Sequence, residues 1–446
     1  MLKGTFSYTP PAALAGSARD YRHARGADLQ ARIEGFYKWQ NLRRQHGLWP
    51  FSRSVDERPS AVTAARDDAG GRFRGVNFAS DDHLNLGSHP AVVQVAHEVI
   101  DQFGLHSAGS ATMMGSSAHA VLLERRVADF LDADEALLFP SGWAAAYGAI
   151  KGLVRPSDHV VMDTLAHPAL KEGAAAATRN IYLFRHNTVE DCRRWLQKIR
   201  AQDAQNGVMV VTESLFATTS DTPDLAALQS LCDEFNATFL VDVGHDLGAL
   251  GPGGRGAIGA QGLLGRVDLA VGSFSRTFGS NGGFVACRSR EVKEYLRFFS
   301  SSCAFSSAIS PMQAATVAKA FEIVDSAEGQ TLRDRLMDNV LNLRGRLAEA
   351  GFEVLGEPSG VVCVKVGAEG LARLVARRAP EAGLICNLAE FPEVPKNHAR
   401  LRLHVMAGHT EDNVRDAVTA VKAAFDGGRE EFDWLTSERE KLRAHG

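Results

Sequence analysis

The residues able to do chemistry cluster at the ends of short apolar runs. After "EALLF" come Ser141, Gly142 and Trp143 in "FPSGWAAA". Small residues opening a helix leave backbone N–H groups free, and with the helix dipole these suit a phosphate; a plain capped turn reads the same way. "DHVVMD" ends on Asp163, and His167 follows in "DTLAHPAL", although a lone His near a helix start more often serves structure. "VMVVTE" ends on Glu213, and "ATFLVDV" leads into Asp242 and His245. An acid ending an apolar strand is poorly solvated and needs a cationic or N–H partner to stay ionised. Asp242 therefore suits a protonated heterocyclic nitrogen, or else caps its own loop. "VDLAVGSF" ends in Ser273, Ser275 and Arg276, within "GSFSRTFGSNGG". That loop has the small-residue punctuation of one that presents a reactive amine, yet a guanidinium stands at its centre.

Other chemistries find no anchor. The string "GRGAIG" at 254–259 has dinucleotide-loop spacing but follows a loop, not a strand, and neither HExxH nor GxSxG occurs. The six cysteines have no CxxC spacing, which argues against a zinc site and a disulfide framework. With 45% hydrophobic and 23% charged residues and a net charge of -4, the 446-residue chain has no bias toward nucleic acid or an anionic membrane. No apolar run is long enough to span a bilayer and the N-terminus lacks a secretory core, so a cytoplasmic location is expected.

The elements that must position these residues follow from the pattern. From about residue 90 to 290, apolar strand-like runs alternate with amphipathic helical segments, and "GGFVACR" adds a further strand. Such alternation predicts a largely parallel sheet covered on both faces, with ligands outside the carboxyl ends of its strands. Residues 1–75 read as an N-terminal arm with a helix, 76–325 as the large domain, and 326–446 as a smaller α/β domain with strands "FEVLG", "VVCVKV", "GLICNL" and "RLRLHV". The final "EEFDWLTSEREKLRAHG" reads as a solvated amphipathic helix.

Taken together, and in this order along the chain, the strand ends resemble those of the α-oxoamine synthases. These are fold-type I pyridoxal-phosphate (PLP) enzymes that include 8-amino-7-oxononanoate synthase and serine palmitoyltransferase. The resemblance runs from "VNFASDDHLNLGSHPAV" to "RLRLHVMAGHTEDNV". It implies a large domain with a mostly parallel seven-stranded sheet, and decarboxylative condensation of an amino acid with an acyl thioester carried on CoA or acyl carrier protein. It also implies that His167 stacks on the pyridine ring, Asp242 pairs with the ring nitrogen and His245 contacts the phenolic oxygen. Ser141, Gly142, Trp143 and Ser273 would surround the phosphate, with Ser306 and Ser307 of "FSSAISP" reaching it from a second subunit of a dimer. Arg402 would bind the substrate carboxylate, and Asp81 would lie toward the substrate.

The chain also departs from the family. The residue that forms the imine with PLP is lysine in the family and Arg276 here. A guanidinium stays protonated at any working pH and is neither an imine-forming nucleophile nor a general base. Ala217 stands in "FATTSD" where a hydroxyl is expected, Ala111 where an arginine is common, and Asp81 where the family has asparagine. Ala120 replaces a usual histidine, with His119 adjacent. The expectation is a PLP-dependent acyltransferase that holds its cofactor noncovalently, with Arg276, His167 and His245 as the catalytic candidates. The alternatives are a noncatalytic subunit paired in a heterodimer with a lysine-bearing homologue, and a binding protein that retains the fold.

Overall fold

A computed structural model describes residues 9–444, with side chains through 437. It divides into two compact units, one of residues 81–336 and one that joins the chain up to Ser80 to the chain from Met337 onward.

The first unit holds a seven-stranded sheet. Its strands are β1 (Glu135–Phe139), β2 (His159–Asp163), β3 (Ile181–Phe184), β4 (Val208–Glu213), β5 (Thr238–Asp242), β6 (Leu269–Ser273) and β7 (Gly283–Cys287). Their order is β1-β7-β6-β5-β4-β2-β3. The β6-β5-β4-β2-β3 pairs are all parallel, and β7 runs antiparallel to both β1 and β6. The central strands are buried on both faces, which is why "VMVVTE" is a continuous apolar run and not an alternating one. Helices α1 (Gly142–Leu153) and α2 (Pro168–Ala177) pack on one face. Ala145, Ala149, Ile150, Leu170 and Ala174 meet Val160, Met162, Val211, Leu240 and Val271 there. The alanines let the helices lie close to the β-branched surface of the strands.

The second unit differs from the expected arm and C-terminal domain. The strand Arg72–Phe78 pairs in parallel with Leu384–Ala389. The chain before residue 80 is thus built into the same sheet as the C-terminal strands Ala399–His404 and Val361–Gly367. The arm and helix read over 1–75 also contains Ser54–Val55 and Val62–Arg66 as strands of that sheet. The strand "VTAAR" buries only Thr63 and Ala65, one polar and one small residue, so its apolar signal is weak.

The C-terminal segment is helical, as expected, with Glu430, Asp433, Trp434, Thr436 and Ser437 exposed. It continues a helix over Glu411–Ala444 whose other face is buried: Glu431 is 1% exposed and pairs with Arg377 and Arg378. Phe432 and Leu435 pack against Ala13, Leu48 and Leu374. Among the described residues no helix is long and apolar enough to cross a membrane, and no cluster of His, Cys, Asp and Glu has the makings of a metal site.

Candidate active site

Nine of the residues singled out at the strand ends come together. Ser141, Gly142, Trp143, His167, Asp242, His245, Ser273, Ser275 and Arg276 line one cavity of about 240 Å³ in the first unit, together with Gly272, Asn281 and Gly282. The parallel sheet accounts for this, because its carboxyl-end loops open on one side.

Each wall has a local cause. Ser141 caps α1, its Oγ accepting the Ala144 N–H at 3.1 Å, and the next N–H groups belong to a first helical turn that lacks intrahelical acceptors. Gly142 is required by close approach, since a Cβ there would lie 2.4 Å from the Ser273 Cβ. The helix start and the end of β6 are thereby brought into contact at one edge of the cavity. Ser273 and Ser275 share a hydrogen bond of 2.8 Å between their hydroxyls. Trp143 remains 45% exposed and stacks on Tyr147, with ring centres 5.0 Å apart.

His167 also lines the cavity and caps α2, its Nδ1 accepting the Ala169 N–H at 3.2 Å. Burial lowers its proton affinity; Asp242 pulls the other way and Arg276 pushes further down. A neutral ring with its proton on Nε2 results. Glu213 lies beneath it, 4% exposed, and accepts the backbone N–H of His167. Burial and the neighbouring Asp242 drive the Glu213 carboxyl well above the usual range. The spacing marks Glu213 only as an acid ending a strand; its service to the His167 backbone depends on the β4-β2 adjacency.

Asp242 ends β5, and its Oδ1 accepts the Gly244 N–H at 2.9 Å. Dense packing raises its proton affinity, with His167, the Gly244 N–H and Arg276 acting against that rise. The loop that carries His245 is anchored by Asp246, which accepts from Ser214 Oγ at 2.6 Å and Ala257 N–H at 2.7 Å. Burial pushes Asp246 up to about 6. Arg276 donates from Nη1 to the Gly244 carbonyl at 3.3 Å. Its Nε is shielded from solvent and has no hydrogen-bond partner among the described residues.

The remaining expected site residues lie elsewhere. Ser307 forms an antiparallel bridge with Ser110, and Ser306 is its neighbour; neither lines the cavity. Asp81 opens the first unit and is also absent from the lining. Arg402 belongs to the second unit, on the strand Ala399–His404, where it donates to Glu393 at 2.7 Å. Of the replaced positions, Ala217 is buried, Ala111 packs on the core of the first unit, and the His119 ring sits edge-on to Phe103.

A largely parallel sheet with an acid, an imidazole and a helix start around one carboxyl-end cavity defines a fold-type I PLP-dependent transferase. Residues 74–421 match the aminotransferase class I and II family. The chain is 33% identical over 378 residues to 8-amino-7-oxononanoate synthase of Trichlorobacter lovleyi, an alignment covering 84% of this chain and 94% of that protein. Its fold is similar to that of Sphingomonas wittichii serine palmitoyltransferase, with a TM-score of 0.83, 25% identity, and coverage of 90% and 99% of the two chains. It is equally similar, with the same score, identity and coverage, to a lysine-to-alanine variant of the S. paucimobilis enzyme with a bound PLP–myriocin aldimine. The chain belongs to the α-oxoamine synthase branch of this family, PLP-dependent transferases of the decarboxylative acyl-condensing type.

Proposed function

We propose that this chain is an α-oxoamine synthase-type acyltransferase that binds PLP without a covalent link to the polypeptide. The observation that carries the reading is the convergence of nine strand-end residues on one cavity whose lining includes both a helix start and an acid. The cavity fits the cofactor in two respects. The Ser141-capped start of α1 lines the cavity with first-turn N–H groups that lack intrahelical acceptors and suit a phosphate, and Asp242 lines the same cavity, where its carboxyl suits a cationic ring nitrogen. It does not fit an imine to the chain, because position 276 offers no amine.

The residues then divide the work. Ser141, Gly142, Trp143 and Ser273 hold the phosphate, neutral His167 stacks on the ring, Asp242 keeps the ring nitrogen protonated, and His245 contacts the phenolic oxygen. When bound, PLP supplies an electron sink for charge developing at the substrate's α-carbon. Arg276 cannot accept a proton and the one lone pair of His167 is taken by the Ala169 N–H, so proton transfer falls to the other imidazole lining the cavity, His245. The substrates are an amino acid and an acyl thioester on CoA or acyl carrier protein. A second copy of the chain supplies Ser306 and Ser307, and the protein works in the cytoplasm.

The test is an absorbance spectrum of the PLP-loaded protein before and after borohydride. We expect a cofactor band and no reduced adduct on the polypeptide; an adduct would contradict noncovalent binding, and no band at all would favour retention of the fold for another ligand. Arg276→Lys is expected to create a borohydride-trappable link. A second reading, a noncatalytic subunit serving a lysine-bearing homologue, is favoured by Arg276 and Ala217 at the positions of an amine and a hydroxyl. It gains if the Arg276→Lys variant links PLP yet condenses no amino acid with acyl thioester.

A further inference from the structure

Arg276 is seated in the cavity, and Gly244 is what seats it. A Cβ at position 244 would stand 3.0 Å from Asp242 Oδ1 and 3.3 Å from Arg276 Nη1, so either neighbour would have to give way by a few tenths of an ångström. With glycine there, Nη1 reaches the Gly244 carbonyl at 3.3 Å. A guanidinium carries five N–H donors in a rigid planar fork. Arg276 lines the cavity and uses one of them among the described residues; its Nη2 makes no hydrogen bond there, and its Nε is shielded from solvent and unpartnered. A buried cationic donor without an acceptor is costly, and the groups that satisfy a guanidinium best are carboxylate and phosphate oxygens. Asp242 and Glu213 feel the charge of Arg276, yet among the described residues neither takes a hydrogen bond from its guanidinium: Asp242 Oδ1 accepts from Gly244, and Glu213 accepts the His167 backbone N–H.

We propose that Arg276, positioned by Gly244, binds an oxyanion of the ligand in this cavity, a phosphate or a carboxylate oxygen, at the place where the family uses an amine. The proposal deepens the reading of the cavity as a noncovalent PLP site and rests on it for the identity of the ligand. Gly244 acts only through the guanidinium.

The test compares the full-length protein with its Arg276→Gln variant in PLP and pyridoxal titrations, and in L-alanine titrations of the PLP-loaded form. If the oxyanion is the cofactor's phosphate, Arg276→Gln weakens PLP binding about tenfold or more and leaves pyridoxal binding unchanged. If it is a substrate carboxylate, PLP binding is kept and about tenfold more L-alanine is needed for the same spectral change. Equal affinities for all three probes would overturn the proposal. Should wild-type protein bind no PLP, the cofactor reading fails by itself. Thermal protection by inorganic phosphate or acetate, lost in Arg276→Gln, would then still support the oxyanion site, and its absence would refute it. Gly244→Ala is expected to reproduce the Arg276→Gln loss, and to cause a much smaller further loss when both substitutions are combined. Fully additive losses would remove Gly244 from the proposal. If Gly244→Ala melts early, Arg276→Gln, which adds no crowding, carries the test.

Discussion

At the scale of single residues, the burden on this site falls on Asp242. Its carboxyl is held by one N–H, from Gly244, and packing raises its proton affinity. An acid so placed is poorly served by protein alone and well served by a cationic ring. Asp242→Asn keeps the shape and the acceptor for Gly244 but removes the charge. We expect PLP affinity to fall about ten- to a hundredfold, the worth of a charge-assisted hydrogen bond. An absorbance titration measures this, and an unchanged dissociation constant would take Asp242 away from the ring nitrogen. Asp242, His167, Ser141 and Arg276 are legible in the sequence because each directly follows an apolar run. The seating of Arg276 by Gly244 and the support of His167 by Glu213 are not, because both depend on which strands lie side by side.

At the scale of elements, the loops at the carboxyl end of the sheet are tied together by His186. It follows β3 and sits between Asp163 at the end of β2 and Asp221 beyond β4, at 3.0 Å from each. Burial opposes its charge, but the hydrogen bonds to Asp163 and Asp221, with their charges, outweigh that and push it up to about 9. A raised pKa means that this stabilisation is fully present below the ordinary histidine value near 6.5 and fades as pH climbs through about 9. His186→Gln should therefore destabilise the protein most at pH 6, by on the order of 1–2 kcal/mol once partial exposure is discounted, and very little at pH 9.5. Denaturant midpoints at the two pH values measure this; an equal loss at both would mean that His186 is held neutral. The tie crosses β3, the one strand of this sheet that the apolar runs leave out. "IYLF" is a four-residue edge strand with Leu183 47% exposed, so it lacks the burial on both faces that makes the inner strands conspicuous. The same weakness hides Val62–Arg66 in the second unit, whereas inner strands such as "VMVVTE" announce themselves.

At the scale of the whole molecule, the proposed second copy must cover something, and the first unit offers a surface. The segments 109–112 and 304–308 run alongside each other through the Ser110–Ser307 bridge, the Ala308 N–H to Gly109 carbonyl bond at 2.9 Å and the Thr112 hydroxyl on the Ala304 carbonyl at 3.2 Å. Beside this ribbon, Met113, Met114 and Phe305 are 85%, 92% and 89% exposed. Large apolar side chains are rarely left so bare in a group unless another surface covers them. Phe305 immediately precedes Ser306 and Ser307, the residues expected to complete a neighbouring cavity, so the apolar surface and the donated hydroxyls belong to one short stretch of chain. We expect light scattering to give twice the mass of one chain, and the combined Met114→Glu and Phe305→Glu substitutions to give a single chain's mass with weakened PLP binding. Ser306→Ala with Ser307→Ala should keep the doubled mass and still weaken PLP. If the glutamate variant falls to single-chain mass while binding PLP as tightly as the parent, each chain closes its own site and these serines have no part in it.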